Sequence, residues 1–345
     1  MATLGTTALT YGDWAKRIGP QGNVDTIIEL LSQDNEIMQD EMVVEGNQPT
    51  GHVTTVRTGI PSGTWRLLNY GVPTGKSTTV KITDNCGMLE TYSVIDKALA
   101  DLNGNSAAFR LSEDMAFLQG LNQQMAQTMI YGNTSVNPER FMGLAPRYNT
   151  TASAQTGVNV IDAGGTGSVN TSIWLVCWGP NTCHGIFPKG QMAGLRQTDK
   201  GDITPAYDAN NNRYEAYTTH YKWDLGLCLR DWRFVVRIAN IDSSLITGAS
   251  APNLINALIR AVHRIPVMPA GVSTEQTSDA PQALSYGQPA IYCNRTVRTW
   301  LDIQALNKTN MLLQFENWHG RAVTTFRGIP VRTVDSILNN ESRIT

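Results

Sequence analysis

Charge is scarce in this sequence. Of 345 residues only 16 % are Asp, Glu, Lys or Arg, and 27 basic against 29 acidic side chains leave a formal net charge of -2. A chain with no basic excess lacks the electrostatic footprint of a duplex-binding protein. So little charge fits a surface that meets other subunits, because buried interface centres are depleted of charged residues. Cysteine is scarce as well: Cys86, Cys177, Cys183, Cys228 and Cys293 are odd in number and scattered, which argues against a disulfide framework and for reduced intracellular thiols. Triplets such as Asn149-Thr150-Thr151 then carry no glycosylation reading. No run of about 18 apolar residues occurs, so no membrane-spanning helix is expected. The segment Met1 to Thr7 has neither the charged start nor the apolar centre of a secretory leader.

Catalytic signatures are missing too. The five histidines, His52, His184, His220, His263 and His319, are dispersed, with no His-Glu-x-x-His pair and no Gly-x-Ser-x-Gly elbow. A metal centre would have to come from Cys177, Cys183-His184, Cys228 and Cys293. Their spacing is wider than the tight cysteine pairs that structural zinc prefers, so they read as small buried hydrophobes, and no cofactor is expected. The stretch Gly71-Val72-Pro73-Thr74-Gly75-Lys76-Ser77 looks like a phosphate-binding loop but has three residues between its glycines where the motif needs four. The β-branched run Thr78 to Thr83 follows it, so no helix N-terminus points at the loop.

What is present is an order of parts, with ample length and 41 % hydrophobic residues for a sizeable core. Residues 1–23 are polar, with Tyr11, Trp14 and Ile18 as isolated anchors. Val24, Ile27, Ile28 and Leu31 recur at helical spacing, and seven carboxylates between Asp25 and Glu45 stand without an intervening Lys or Arg. Residues 52–94 read as a long open β-ribbon: His52 to Thr58, a turn at Gly59 to Gly63, a continuation through Thr64 to Tyr70, and a return. An open ribbon exposes sheet edges, and such edges invite another chain. A helix of about 26 residues, close to 40 Å long, follows from Ser106, with Asn105 or Ser106 as cap and Gly132 as stop. Leu111, Met115, Leu118, Met125 and Met129 share its core face, and Gly120 marks a bend or a close neighbour.

Residues 149–171 are rich in Gly, Thr, Ser and Asn and divide the chain. Beyond them come a buried strand at Ile173 to Trp178, a hairpin turn at Asp208 to Asn212, and strand-like segments through Trp232 to Ile238. A helix then opens at Pro252 with Leu254, Ile255, Leu258, Ile259 and Val262 inward, and Pro266 closes it. After a loop over 270–288, a helix from Asn294 and two strands, Arg321 to Arg327 and Pro330 to Val334, complete the chain.

That order, with Trp65-Arg66-Leu67-Leu68-Asn69-Tyr70-Gly71-Val72-Pro73, Ile130-Tyr131-Gly132-Asn133, Phe141-Met142-Gly143-Leu144, the segment Trp232 to Ile241 and Phe326-Arg327-Gly328-Ile329-Pro330-Val331, resembles the major capsid proteins of tailed bacteriophages with the Hong Kong 97-type fold. It is most similar to the group from short-tailed phages such as epsilon 15. The resemblance covers nearly the whole chain and implies an α+β fold in four parts: an N-terminal arm (1–48), an extended E-loop ribbon (49–95), a peripheral domain with a long spine helix (96–150 and 289–345), and an axial domain (151–288).

It implies self-assembly into hexamers and pentamers of an icosahedral shell in the virion, built in the host cytoplasm around double-stranded DNA held without sequence-specific binding. Scaffolding, portal and decoration or cement proteins are the implied partners, and no catalytic residue carries over. The expected interface is an acidic set, Glu36, Asp40 and Glu41, meeting basic residues Arg321, Arg327 and Arg332 of a neighbour, together with Trp65, Arg66, Tyr70 and Lys76 on the ribbon. Isopeptide bonding of Lys76 or Lys81 to Asn339 or Asn340 near Glu341 is chemically conceivable if a neighbour's tail meets the ribbon. The rival readings are an encapsulin-type compartment of the same fold and a nucleotide-binding enzyme using Gly71 to Ser77.

Overall fold

The computed structural model describes residues 9–17, 31–104, 106–152, 155–201, 204–207, 210–246, 251–266, 287–306, 313–318 and 321–345. The amphipathic stretch expected at Val24, Ile27 and Ile28, the cap residue Asn105 and most of the loop expected over 270–288 lie outside these residues. The elements run α1 (Tyr11–Arg17), α2 (Ile37–Asp40), β1 (Val43–Glu45), β2 (Gly51–Gly59), β3 (Thr78–Asp96), α3 (Lys97–Ala100), α4 (Ser106–Tyr131), β4 (Val160–Asp162), β5 (Asn170–Trp178), β6 (Cys183–Phe187), β7 (Leu195–Asp199), β8 (Thr204–Tyr207), β9 (Arg213–Leu229), β10 (Val235–Asp242), α5 (Leu254–Arg264), β11 (Gln288–Cys293), α6 (Arg295–Leu306), β12 (Leu313–Trp318), β13 (Arg321–Phe326) and β14 (Ile329–Thr333).

The strands form one connected network in the order β12-β13-β14-β11-β5-β6-β9-β3-β2, with β10 beside β5 and β4, β1 beside β6, and β7 and β8 along β9. Its centre is β5, all nine of whose residues are buried. A strand covered on both faces reads as a continuous apolar run, which is why Ile173 to Trp178 shows no polar alternation. The two-residue period instead divides it between two cores: Trp174, Val176 and Trp178 enter one, Ile173 and Leu175 the other. The neighbouring strands repeat the division, with Ala290 and Tyr292 against Ile291 and Cys293 on β11, and Val235 and Ala239 against Val236 and Ile238 on β10.

The first core is closed by Met125, Ala126, Met129 and Ile130 of α4, and the second by α5 and α6 through Leu254, Leu258, Ala261, Val297 and Leu301. Helix α5 starts two residues after Pro252, because the side chain of Asn253 accepts from the Asn256 N–H at 3.1 Å and sets the cap. Asn294 does the same for α6, accepting from Val297 at 2.8 Å. The strand expected from Trp232 begins at Val235, since Asp231 accepts from the Arg233 N–H at 3.1 Å and holds Trp232–Phe234 in a tight helical turn.

Helix α4 has its expected 26 residues, but its apolar face is only half used within the chain. Met125 and Met129 are buried, whereas Leu111 is 63 % and Met115 57 % exposed. Helical periodicity marks a face to be covered without saying which chain covers it. Gly120 has open space where a Cβ would stand, so neither the expected close neighbour nor a collision accounts for it. Gly132 does end the helix: a Cβ there would collide with the Phe141 carbonyl, and its N–H donates to Thr128 O at 2.7 Å.

Two polar knots fix the ends of the chain to this body. Arg237, buried on β10, donates to Glu341 Oε2 at 2.9 Å, to Ser172 Oγ at 3.1 Å and to Tyr148 O at 2.9 Å, with its guanidinium 4.8 Å from the Trp174 ring centre. Tyr131 and Ser172 donate to the two Glu341 oxygens, so the C-terminal tail, the end of α4 and β5 meet at one buried ion pair. The second knot is the acidic segment. Its backbone bridges Asn35 to Val334, and Glu41 is enclosed beside Gly185, where a Cβ would collide with its carboxylate. Strand β1 then pairs in parallel with β6.

Both knots generate measurable expectations. Glu341→Ala leaves the Arg237 charge buried and unpaired, so it should destabilise by about 3–5 kcal/mol, while the double change Arg237→Met with Glu341→Leu should cost far less; urea unfolding of the three proteins measures the difference. Glu41 has no hydrogen-bond partner for Oε1, and burial pushes its pKa from 4.5 up to about 8. The folded chain therefore keeps a proton that the unfolded chain has already lost between those values. Its penalty is absent below the unfolded pKa and grows as pH rises toward 8. Glu41→Gln should flatten that decline and add on the order of 3 kcal/mol near pH 8 with little change near pH 4, read from unfolding midpoints across pH.

Candidate assembly interface

Strands β2 and β3 pair antiparallel from Gly51 opposite Asn85 out to Gly59 opposite Thr78. Past Cys86, β3 continues as a body strand and pairs with β9 over eleven successive positions, Cys86 to Asp96 against Gly226 to Ala216. The ribbon is thus the free half of a strand whose other half is built into the sheet. At its foot the Asn47 side chain imitates a strand partner, donating to Val53 O at 2.7 Å and accepting from Val53 N at 2.8 Å. Beyond that, among the described residues β2 pairs with β3 alone and ends the sheet.

The tip departs from expectation. Thr64 to Tyr70 does not continue as a strand; residues 60–77 carry no ladder, and the chain turns at Asn69, whose φ of 67° lies in the left-handed region that Asn tolerates. The Tyr70 N–H donates to Leu67 O at 3.2 Å across that turn. Trp65 is 101 % exposed, Leu68 89 % and Ile60 86 %, with Leu67, Tyr70 and Val72 also exposed. Arg66 turns back to donate to Leu67 O at 3.4 Å, and Lys76 is exposed just before β3 begins. An aromatic side chain offers about 150–250 Å² for burial, and apolar area is worth about 25 cal/mol per Å² removed from water. Trp65 alone therefore represents several kcal/mol of unused burial. Because Gly71 to Ser77 runs straight into β3, no helix N-terminus faces this loop and a phosphate cradle is not formed.

Of the charged residues expected to serve between subunits, Glu36, Asp40 and Arg332 already have partners within the chain. Asp40 pairs with Arg332 at 3.2 Å and accepts from Tyr292 OH at 3.0 Å. Glu36 accepts from the Thr333 N–H at 2.8 Å, and Asp34 pairs with Arg295 at 3.0 Å. The acidic segment does meet the basic C-terminal strands, but those of its own subunit, because the Asn35–Val334 bridge lays it antiparallel to them. Glu41 packs against Gly185, and burial pushes its carboxyl well above the ordinary carboxylate range. Arg327 stands at the left-handed first position of the β13–β14 turn, with φ of 52°, and its Nη1 lies 3.0 Å from His263 Nε2. The side chain of Arg321 lies outside the described residues. Glu341 is held by Arg237, and Asn294 donates to the Asn339 amide oxygen, so two of the tail residues considered for crosslinking, Asn339 and Glu341, are engaged internally.

Sequence reasoning missed two assemblies here. One is the Arg237–Glu341 pair, which joins residues 104 positions apart. The other is a convergence of His52, His184 and Cys228 beside Asp84 at the root of the ribbon; nothing in local spacing signals it.

With the geometry in view, comparison with known proteins is decisive. The family model for Major capsid protein GP7 matches residues 19–345. A chain of the cryo-EM structure of bacteriophage Epsilon15 is 37 % identical, covers 100 % of both chains and superposes with a TM-score of 0.72. The bacteriophage JBD30 capsid aligns at 8 % identity over 92 % of this chain and 99 % of that one, with a TM-score of 0.49. The SrpI encapsulin of Synechococcus elongatus aligns at 9 % identity over 67 % and 96 %, with a TM-score of 0.40. No curated protein sequence matches. The chain belongs to the Major capsid protein GP7 family: it is a phage head protein of the Hong Kong 97-type fold.

Proposed function

We propose that the ribbon tip, residues 60–77, is the clasp by which one subunit grips the next in the shell. The observation that carries this is the full exposure of Trp65 with Leu68 and Ile60 on a segment whose root is fixed by the β3–β9 ladder. Apolar patches of this kind on a subunit surface mark interaction sites. The exposed first half of α4, at Leu111 and Met115, supplies a second surface for a neighbour.

On this reading residues 1–48 are the arm, 49–95 the E-loop, 96–150 and 289–345 the peripheral domain with α4 as spine, and 151–288 the axial domain. Subunits join as hexamers and pentamers in the host cytoplasm, with scaffolding, portal and cement proteins as partners, and enclose double-stranded DNA by confinement; the net charge of -2 suits a wall that needs no sequence-specific grip. The role is structural, without catalysis. Trp65, Arg66, Tyr70 and Lys76 act between subunits, whereas Glu36, Asp40 and Arg332 act within one. Full-length 37 % identity to the Epsilon15 chain favours a phage head over an enzyme-packaging compartment.

Deleting residues 60–75 should leave a cooperatively melting subunit that forms no closed shells, because the segment contributes no buried side chain to either core. Trp65→Ala should raise the protein concentration needed for assembly by roughly tenfold or more per lost contact. Circular dichroism with size-exclusion chromatography and negative-stain microscopy of the same samples separates folding from assembly. Wild-type-sized shells from the deletion protein would refute the clasp.

A further inference from the structure

Where the ribbon meets the body, four strands bring together residues that no local motif connects. His52 on β2 lies opposite Asp84 on β3, and His184 on β6 lies opposite Cys228 on β9. The two histidine rings meet edge to face with centres 5.9 Å apart. One donor atom from each of His52, His184 and Cys228 lies within 4.8 Å of the other two. Asp84 is buried against the Cys228 thiol. One of its oxygens accepts from Arg147 at 2.8 Å, and the carboxylate also takes a hydrogen bond from the Cys228 thiol. The Nδ1 of His184 is buried and unpartnered.

We propose that His52, His184 and Cys228, with Asp84 as fourth ligand, form a structural site for a divalent zinc-like cation that pins the ribbon root to the sheet. Two imidazoles, a thiolate and a carboxylate match the ligand set that zinc takes in tetrahedral geometry. Donors around such an ion stand roughly 3.5 Å apart, so the three donors, now within 4.8 Å of one another, need to draw closer, and Asp84, which lies outside that group, has to swing in to complete the shell. The orphaned His184 Nδ1 would then be satisfied. Buried polar atoms without partners are uncommon, and a bound ion is one of their standard explanations.

The histidine is ready to bind a metal, whereas the thiol has to give up its proton to do so. Burial, reinforced by the nearby Arg230 charge, holds His184 neutral with its pKa lowered to about 4, so a lone pair is free at neutral pH. Burial and the Asp84 charge push the Cys228 thiol up to about 12. Metal binding would reverse that: the thiol proton leaves to solvent as the metal–sulfur bond forms, and the dication is balanced by the thiolate and Asp84. His52 presently accepts from the Asn47 N–H through Nδ1 at 3.2 Å, a long contact that it gives up or turns away from to bind. Arg147 remains on the far oxygen of Asp84 and orients that carboxylate, as outer partners do at metal sites.

The test uses the full-length protein expressed with zinc in the medium, desalted, and analysed by plasma mass spectrometry, beside a cobalt(II)-exchanged sample. The expected result is about one zinc per subunit, and a cobalt form with a thiolate charge-transfer band and the strong visible bands of a tetrahedral ion. Cys228→Ser should abolish the thiolate band. His52→Ala, at a partly exposed position less prone to misfold, should lower zinc retention at least tenfold. Cys293→Ser, a buried thiol outside the cluster, should retain both zinc and the band. Absence of zinc from the wild type, or zinc retained equally by Cys228→Ser and His52→Ala, would overturn the proposal.

Discussion

The eleven-position pairing of β3 with β9 is the constraint on which the rest of the molecule depends. It turns a hairpin that would be marginal by itself into the overhanging end of a large sheet, since an isolated two-stranded ribbon has little stability in water. An apolar tip on a loose tether would collapse onto its own subunit. Mounted on a strand anchored along half its length, the tip stands exposed, covered by none of the described residues.

The same division between what is satisfied within the subunit and what is left for a neighbour runs through the rest of the chain. Charge is used inward. The acidic segment is spent on Arg332 and the Thr333 amide of β14 and on Arg295 at the start of α6, and the tail on Arg237. Apolar surface is left outward, at Trp65 and Leu68 on the tip and at Leu111 and Met115 on α4. That arrangement is consistent with a low overall charge. Exposed ion pairs contribute little and are screened by salt, whereas apolar contacts repeated over a shell add without that dependence.

Elements decided by local pattern were legible in the sequence. The run Ile173 to Trp178 marks the doubly covered strand, the spacing of Leu254, Ile255 and Leu258 marks α5, and the β-branched residues from Thr78 exclude a phosphate loop. What stayed hidden depends on partners distant in sequence. Helical spacing in α4 treats Leu111 and Met129 alike, yet one is exposed and the other buried, because cover is a property of neighbours and not of the helix. Complementary charge predicted that arm and C-terminal strands attract, but charge counts carry no information on whether the two belong to the same subunit. The tip read as strand because Trp65, Leu67 and Tyr70 favour extended backbone, whereas no partner strand is there to complete a ladder. Pairs such as Arg237 with Glu341, and the His52–His184–Cys228 group, arise from register across strands and have no sequence signature at all.

Residue-resolved amide hydrogen exchange on free subunits and on purified shells addresses the central claim most directly. The account predicts that residues 60–77 exchange rapidly in the free subunit and become strongly protected in the shell, while 86–96, already paired with β9, are protected in both. Equal, rapid exchange of 60–77 in free and assembled protein would contradict the claim that this tip holds the shell together.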